Sequence, residues 1–143
     1  MRYFDTGVLL KLYLPEPGAD EAVAFVKASG NVPPLTLLHE LEMRSALRQK
    51  FGRGEITGIE CKGGLSQLAE DLNAGVHEKV AVVWPEVFAT AESLSSMHGV
   101  ETLCRSLDTL HVALAIELGE KEFCTFDQRQ SHMASAAGIR VIQ

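Results

Sequence analysis

A chain of 143 residues with 46% hydrophobic and 22% charged side chains has the composition of an ordinary globular protein, the size of one domain. Its three cysteines, Cys61, Cys104 and Cys124, form no Cys-x-x-Cys pair, which argues against a zinc ribbon or a dithiol redox motif. A net charge of −6 has the wrong sign for gripping nucleic acid across the whole surface, leaving only a local basic patch for a polyanion. Without an 18-residue apolar run or a signal-peptide start, the expectation is a reduced, cytoplasmic protein with no membrane partner.

Tyr3-Phe4 reads as the end of a buried first strand and Thr6-Gly7 as a turn. Beyond it Val8, Leu9, Leu12 and Tyr13 fall at helical spacing. Asp5 therefore stands at the carboxyl end of a strand, the edge where open α/β sheets bind ligands. Taken alone, an Asp there is more often a helix cap. Pro15-Glu16-Pro17-Gly18 ends the first helical segment, and Ala19–Ser29 resumes one with Ala22, Phe25, Val26 and Ser29 on one face. Proline-rich Val32–Leu35 is a short strand or extended link. Thr36 to Phe51 is a strong helix whose stripe is Leu37, Leu38, Leu41, Ser45 and Leu47-Arg48. Thr36 is its N-cap, with His39 where a capping box has Glu or Gln.

Thr57 to Lys79 reads as a less regular helical region, interrupted by Gly63-Gly64 and ending near Gly75. The unbroken run Val80–Trp84 predicts a strand covered on both faces. Pro85 opens a helix that carries Val87 to Met97 and stops at His98-Gly99. A further helix covers Thr102 to Leu118, with the stripe Leu103, Leu107, Leu110, Leu114, Leu118 as its core face. Glu122–Phe126 is a strand, followed by Asp127, a helix to Ala137, and a final short strand Arg140–Ile142. Trp84, Met97 and Phe126 are expected in the core. Alternating short strands and helices imply an α/β fold: one domain over residues 1–143, with a central, mostly parallel sheet of four to five short strands flanked by helices.

Asp5 and Asp127 share one local setting, an apolar strand with an acid at its end and a helix beyond. Asp108 sits one step off the stripe of its helix. On the Thr36–Phe51 helix both Glu40 and Glu42 are candidates. Glu40 is spaced for a surface pair with Arg44 and Glu42 lies four residues before the small Ala46, so periodicity does not choose between them. Carboxylates gathered in a partly desolvated pocket repel one another unless a cation joins them. An all-oxygen site suits Mg²⁺ or Mn²⁺, and such ions serve phosphoryl chemistry. Other sites are ruled down. His39-Glu40-Leu41-Glu42-Met43 begins like a zinc-protease helix, but Met43 stands where the second His must be. There is no P-loop, no Gly-x-Gly-x-x-Gly after the first strand, and no Gly-x-Ser-x-Gly elbow.

In four segments, taken in order, the chain resembles the PIN-domain proteins, and among them the VapC-like toxin ribonucleases of toxin–antitoxin pairs. The segments are Tyr3-Phe4-Asp5-Thr6 with Val8–Tyr13, Leu41-Glu42-Met43-Arg44-Ser45-Ala46-Leu47, Leu107-Asp108-Thr109-Leu110-His111, and Thr125-Phe126-Asp127 with Ala137–Val141. The resemblance implies an acidic metal site of Asp5, Glu42, Asp108 and Asp127, choosing Glu42 over Glu40, with Thr6 and Thr125 in support. It implies RNA hydrolysis with Mg²⁺ or Mn²⁺, an antitoxin partner and a homodimer. Gly7 stands where relatives commonly have Ser or Asn, so one side-chain hydrogen bond near the site is missing. The alternative is a catalytically weak PIN-like module that binds RNA or protein; a flap-type DNA nuclease is disfavoured by the short chain. Arg44, Arg48, Lys50, Arg53, Arg105 and Arg129 are candidate phosphate contacts, each better explained as a surface cation paired with an acid. His111 is expected to be packed or hydrogen-bonded, not a ligand.

Overall fold

A computed structural model describes residues 1–143. In chain order the elements are β1 (Arg2–Phe4), α1 (Thr6–Leu10), α2 (Ala19–Ser29), β2 (Pro34–Leu35), α3 (Leu37–Gly52), α4 (Gly58–Ala74), β3 (Glu78–Lys79), α5 (Trp84–Thr102), α6 (Ser106–Glu117), β4 (Glu122–Cys124), α7 (Gln128–Ala136) and β5 (Arg140–Ile142). This is the expected α/β class. All strand pairs are parallel, but they form a three-stranded sheet ordered β1-β4-β5 and a separate β2-β3 pair rather than one sheet. No helix is long and apolar enough to cross a membrane.

The chain divides into two units, Met1–Gly7 with Ala81–Gln143, and Val8–Val80. In the first, register is pinned at the amino end of the sheet. Arg2, Glu122 and Arg140 are cross-strand neighbours, and Glu122 takes Arg2 at 2.9 Å and Arg140 at 3.1 Å. One step on, Tyr3 stacks on Phe123 with centroids 5.4 Å apart, and both rings are fully buried. The strands run out at Phe4 and Cys124, and Asp5 N–H donates to Cys124 O at 3.1 Å. Asp5 and Thr125 are thereby set side by side at the carboxyl edge. α6 is buried from Thr109 through Ala115, so it is covered nearly all round there rather than along a single stripe.

Several sequence expectations change here. The run 80–83 is an extended link, not a covered strand, and Val83 is exposed. α5 continues through His98-Gly99 to Thr102, so the next helix starts only at Ser106. Leu103 caps α5 in the left-handed region at φ 52°, and both Leu103 and Leu107 are exposed, so the lower half of the expected stripe is not core. Met97 and Phe126 are likewise exposed, and Trp84 is half-buried.

In the second unit, α3 buries His39, Glu40, Met43 and Leu47 while Leu37 and Leu41 face out. The cause is polar. His39 Nδ1 accepts from Thr36 N–H at 3.1 Å, supplying the half of a capping box usually given by Glu or Gln. Glu40 does pair with Arg44, at 3.0 Å, but it is buried and also meets Lys79 at 3.3 Å. α4 is continuous across Gly63-Gly64, starts on a Thr57–Glu60 capping box and ends at left-handed Gly75. Gly64 is there for closeness: a Cβ on it would stand 3.0 Å from Leu47 Cδ2. Leu47 belongs to a buried cluster with Leu10, Leu14 and Cys61.

Candidate active site

Three of the four expected acids lie in the first unit, and a string of hydrogen bonds joins them. Thr125, fully buried, donates its hydroxyl to Asp5 Oδ2 at 2.7 Å, while Asp5 itself is 3% exposed. The same hydroxyl oxygen accepts from Asp127 N–H at 2.9 Å. Asp127 caps α7, its Oδ1 accepting from Arg129 N–H at 2.8 Å and from Gln130 N–H at 2.9 Å. Asp127 thus caps α7 through one carboxylate oxygen. Gln130 continues the string, its Nε2 donating to Asp108 Oδ1 at 3.0 Å. The other Asp108 oxygen accepts from Arg105 Nε at 2.8 Å. Thr125 therefore links Asp5 and Asp127 through one hydroxyl.

His111, one turn after Asp108, is buried and bonded as expected. Its Nδ1 lies 2.7 Å from Tyr3 Oη and its Nε2 3.2 Å from Thr6 Oγ1. Thr6 is thereby fixed directly after Asp5. A Cβ on Gly7 would lie 3.5 Å from Asp5 Oδ1, so a Ser hydroxyl there could reach the Asp5 carboxylate. Glu42 lies half-buried on α3, within the second unit.

The basic residues are mostly engaged with acids, as expected. Arg44 holds Glu40, Lys50 bridges Glu16 and Glu55, and Arg53 holds Glu55. Arg105 pairs with an acid of the string itself, while its own side chain is 72% exposed.

The donors of the string are oxygens, the set that suits Mg²⁺ or Mn²⁺. A thiol lies nearby, but burial, with the charges of Asp108 and Asp127, pushes Cys104 up from its ordinary value, so it stays a neutral, weak ligand. Burial followed by the Asp5 charge likewise pushes Cys124 up to about 12. No three His, Cys, Asp or Glu side chains come together as one metal-binding group. The carboxylate oxygens suit a hydrated Mg²⁺, which usually keeps several of its waters.

Gln130 is the residue sequence reasoning passed over. The signal was present: Asp127-x-x-Gln130 is the spacing of a capping box, in which the Gln side chain turns back to the cap's own N–H. Here Thr125 already takes that N–H, so the Gln130 amide goes to Asp108 instead.

Comparison with known proteins bears on the fold and the family. The solved structure of FitAcB from Neisseria gonorrhoeae is similar in fold, with a TM-score of 0.65 and 20% identity over 100% of this chain and 97% of that one. A comparison with curated proteins found no match. The model of the PIN domain matches residues 2–136, a span that holds every acid of the string and both flanking threonines. The chain belongs to the PIN domain family.

Proposed function

We propose that this chain is a Mg²⁺- or Mn²⁺-dependent endoribonuclease and the toxin of a toxin–antitoxin pair, with residues 1–143 working as one nuclease domain. The observation that carries the reading is the bonded string Asp5–Thr125–Asp127–Gln130–Asp108 at the carboxyl edge of the parallel strands. Asp5, Asp108 and Asp127 are the proposed metal holders, and Glu42 joins them by the order of the family's motifs. A divalent ion held there would supply an activated water and neutralise charge on a phosphodiester, whose hydrolysis would leave a 5′-phosphate and a 3′-hydroxyl. The protein's own part is orientation. Thr125 fixes one Asp5 oxygen, and Thr6 is steadied through His111. Arg105, mostly exposed beside Asp108, has the planar fork suited to a phosphate.

The same reading gives the chain an RNA substrate, a cognate antitoxin, a homodimeric state and a cytoplasmic setting. A second reading, a weakly catalytic module that binds RNA or protein, rests on Gly7, which leaves Asp5 without a serine hydroxyl within reach. Expression in a bacterial host decides between them. Wild type is expected to arrest growth, Asp108→Asn is expected not to, and the product of the adjacent reading frame is expected to restore growth. Harmless expression of soluble wild type contradicts the toxin reading.

A further inference from the structure

Gln130 is 4% exposed, and its two amide atoms have unequal fates. Nε2 donates to Asp108 Oδ1, whereas Oε1 has no hydrogen-bond partner in the protein. A buried acceptor left unmatched is uncommon in native structures and calls for a reason. As a helix cap the arrangement is poor, since a Gln at this position ordinarily closes the capping box. Its backbone N–H meanwhile binds Asp127 Oδ1. One residue thus fixes two carboxylates from different elements, Asp108 on α6 and Asp127 at the start of α7.

We propose that Gln130 is a positioning residue. It holds Asp108 and Asp127 at the separation at which they share a hydrated divalent cation, and its free Oε1 accepts a hydrogen bond from a water of that ion. This rests on the metal-dependent reading above and adds a residue to it. The chemistry favours an amide over a carboxylate at this position. A Gln donates to Asp108 without adding a charge, and it keeps an acceptor for coordinated water on the same carbon. Partners of this kind, one bond behind the ligands, typically govern metal affinity by about 10–100-fold.

The test is Mn²⁺ affinity, read from the electron paramagnetic resonance of free Mn²⁺, for wild type, Gln130→Met, Gln130→Asn and Asp108→Asn, and for Asp108→Asn combined with Gln130→Met. Methionine keeps the volume and removes both hydrogen-bonding atoms; asparagine keeps the amide but shortens its reach. Both single Gln130 variants are expected to bind Mn²⁺ about tenfold or more weakly. Because Gln130 acts through Asp108, Gln130→Met is expected to cost much less in the Asp108→Asn background. Affinity within twofold of wild type in both Gln130 variants overturns the inference and leaves the acidic site standing. An equal loss with and without Asp108 also overturns it, since the effect is then general. A wild type that binds no Mn²⁺ overturns both the inference and the reading it rests on.

Discussion

Thr125→Val is the sharpest perturbation of the proposed site. Valine matches threonine in shape, so the substitution leaves no cavity at a position that is fully buried, yet it removes the one oxygen that serves both Asp5 and Asp127. The bond to Asp5 is made to a carboxylate that is 3% exposed, and losing a hydrogen bond to a charged group costs about 1.5–3 kcal/mol. The Asp127 N–H belongs to a half-buried residue, where water substitutes in part, so it adds about 0.5 kcal/mol. The sum is about 2–3.5 kcal/mol, equivalent to a fall in Tm of roughly 5–12 °C for a chain of this size. Thr125→Ser keeps the hydroxyl and loses a methyl, at about 1 kcal/mol. Thermal and urea unfolding of both variants provides the assay. A Tm for Thr125→Val within 2 °C of wild type, or a larger loss for Thr125→Ser, refutes the idea that this hydroxyl ties the acids together.

Other outcomes follow from other parts of the molecule. Gly7→Ser is expected to fit, with its Cβ 3.5 Å from Asp5 Oδ1, and to raise cleavage several-fold; unchanged or lower turnover contradicts a missing hydrogen bond at that position. His77, buried, with Nε2 2.6 Å from Tyr13 Oη, is held below its ordinary value by burial, against the opposing charge of Asp71. The unfolded chain therefore binds the proton first as pH falls through about 6.5. Stability is present above that pH and lost below it, so Tm should drop from pH 7.5 to 5.5, with a shallower slope in His77→Gln. Gly64→Ala is expected to destabilise by about 1 kcal/mol, because crowding Leu47 outweighs the gain in helix propensity, whereas Gly63→Ala, in open space, should stabilise by about 0.5–1 kcal/mol. Equal and favourable effects at the two glycines contradict close packing at Gly64.

The elements nearest the site were readable because strand, acid and helix follow one another in short order at Asp5 and again at Asp127. What periodicity misjudged were faces decided by polar partners. Leu37 and Leu41 look like core on α3, but His39 is drawn in by Thr36 and Glu40 by Arg44 and Lys79, which turns the leucines outward. The run 80–83 has strand composition but pairs with no neighbour beyond Val80, whose N–H reaches Leu35 O, and composition cannot supply a partner strand. Gly63-Gly64 looked like a break because the sequence does not show Leu47 lying against that turn of the helix. Gln130 was hidden by competition. Its spacing announces a cap, and only the placement of Thr125 shows that the cap's N–H is already taken.

Cleavage of a labelled, structured RNA in Mg²⁺ or Mn²⁺, with and without EDTA, tests the central claim most directly when wild type is run beside Asp5→Asn and Asp108→Asn. The account predicts that wild type cuts only with the metal present, and that both variants, folded as judged by circular dichroism, lose the activity. Equal cleavage by all three proteins, or cleavage that survives EDTA, contradicts it.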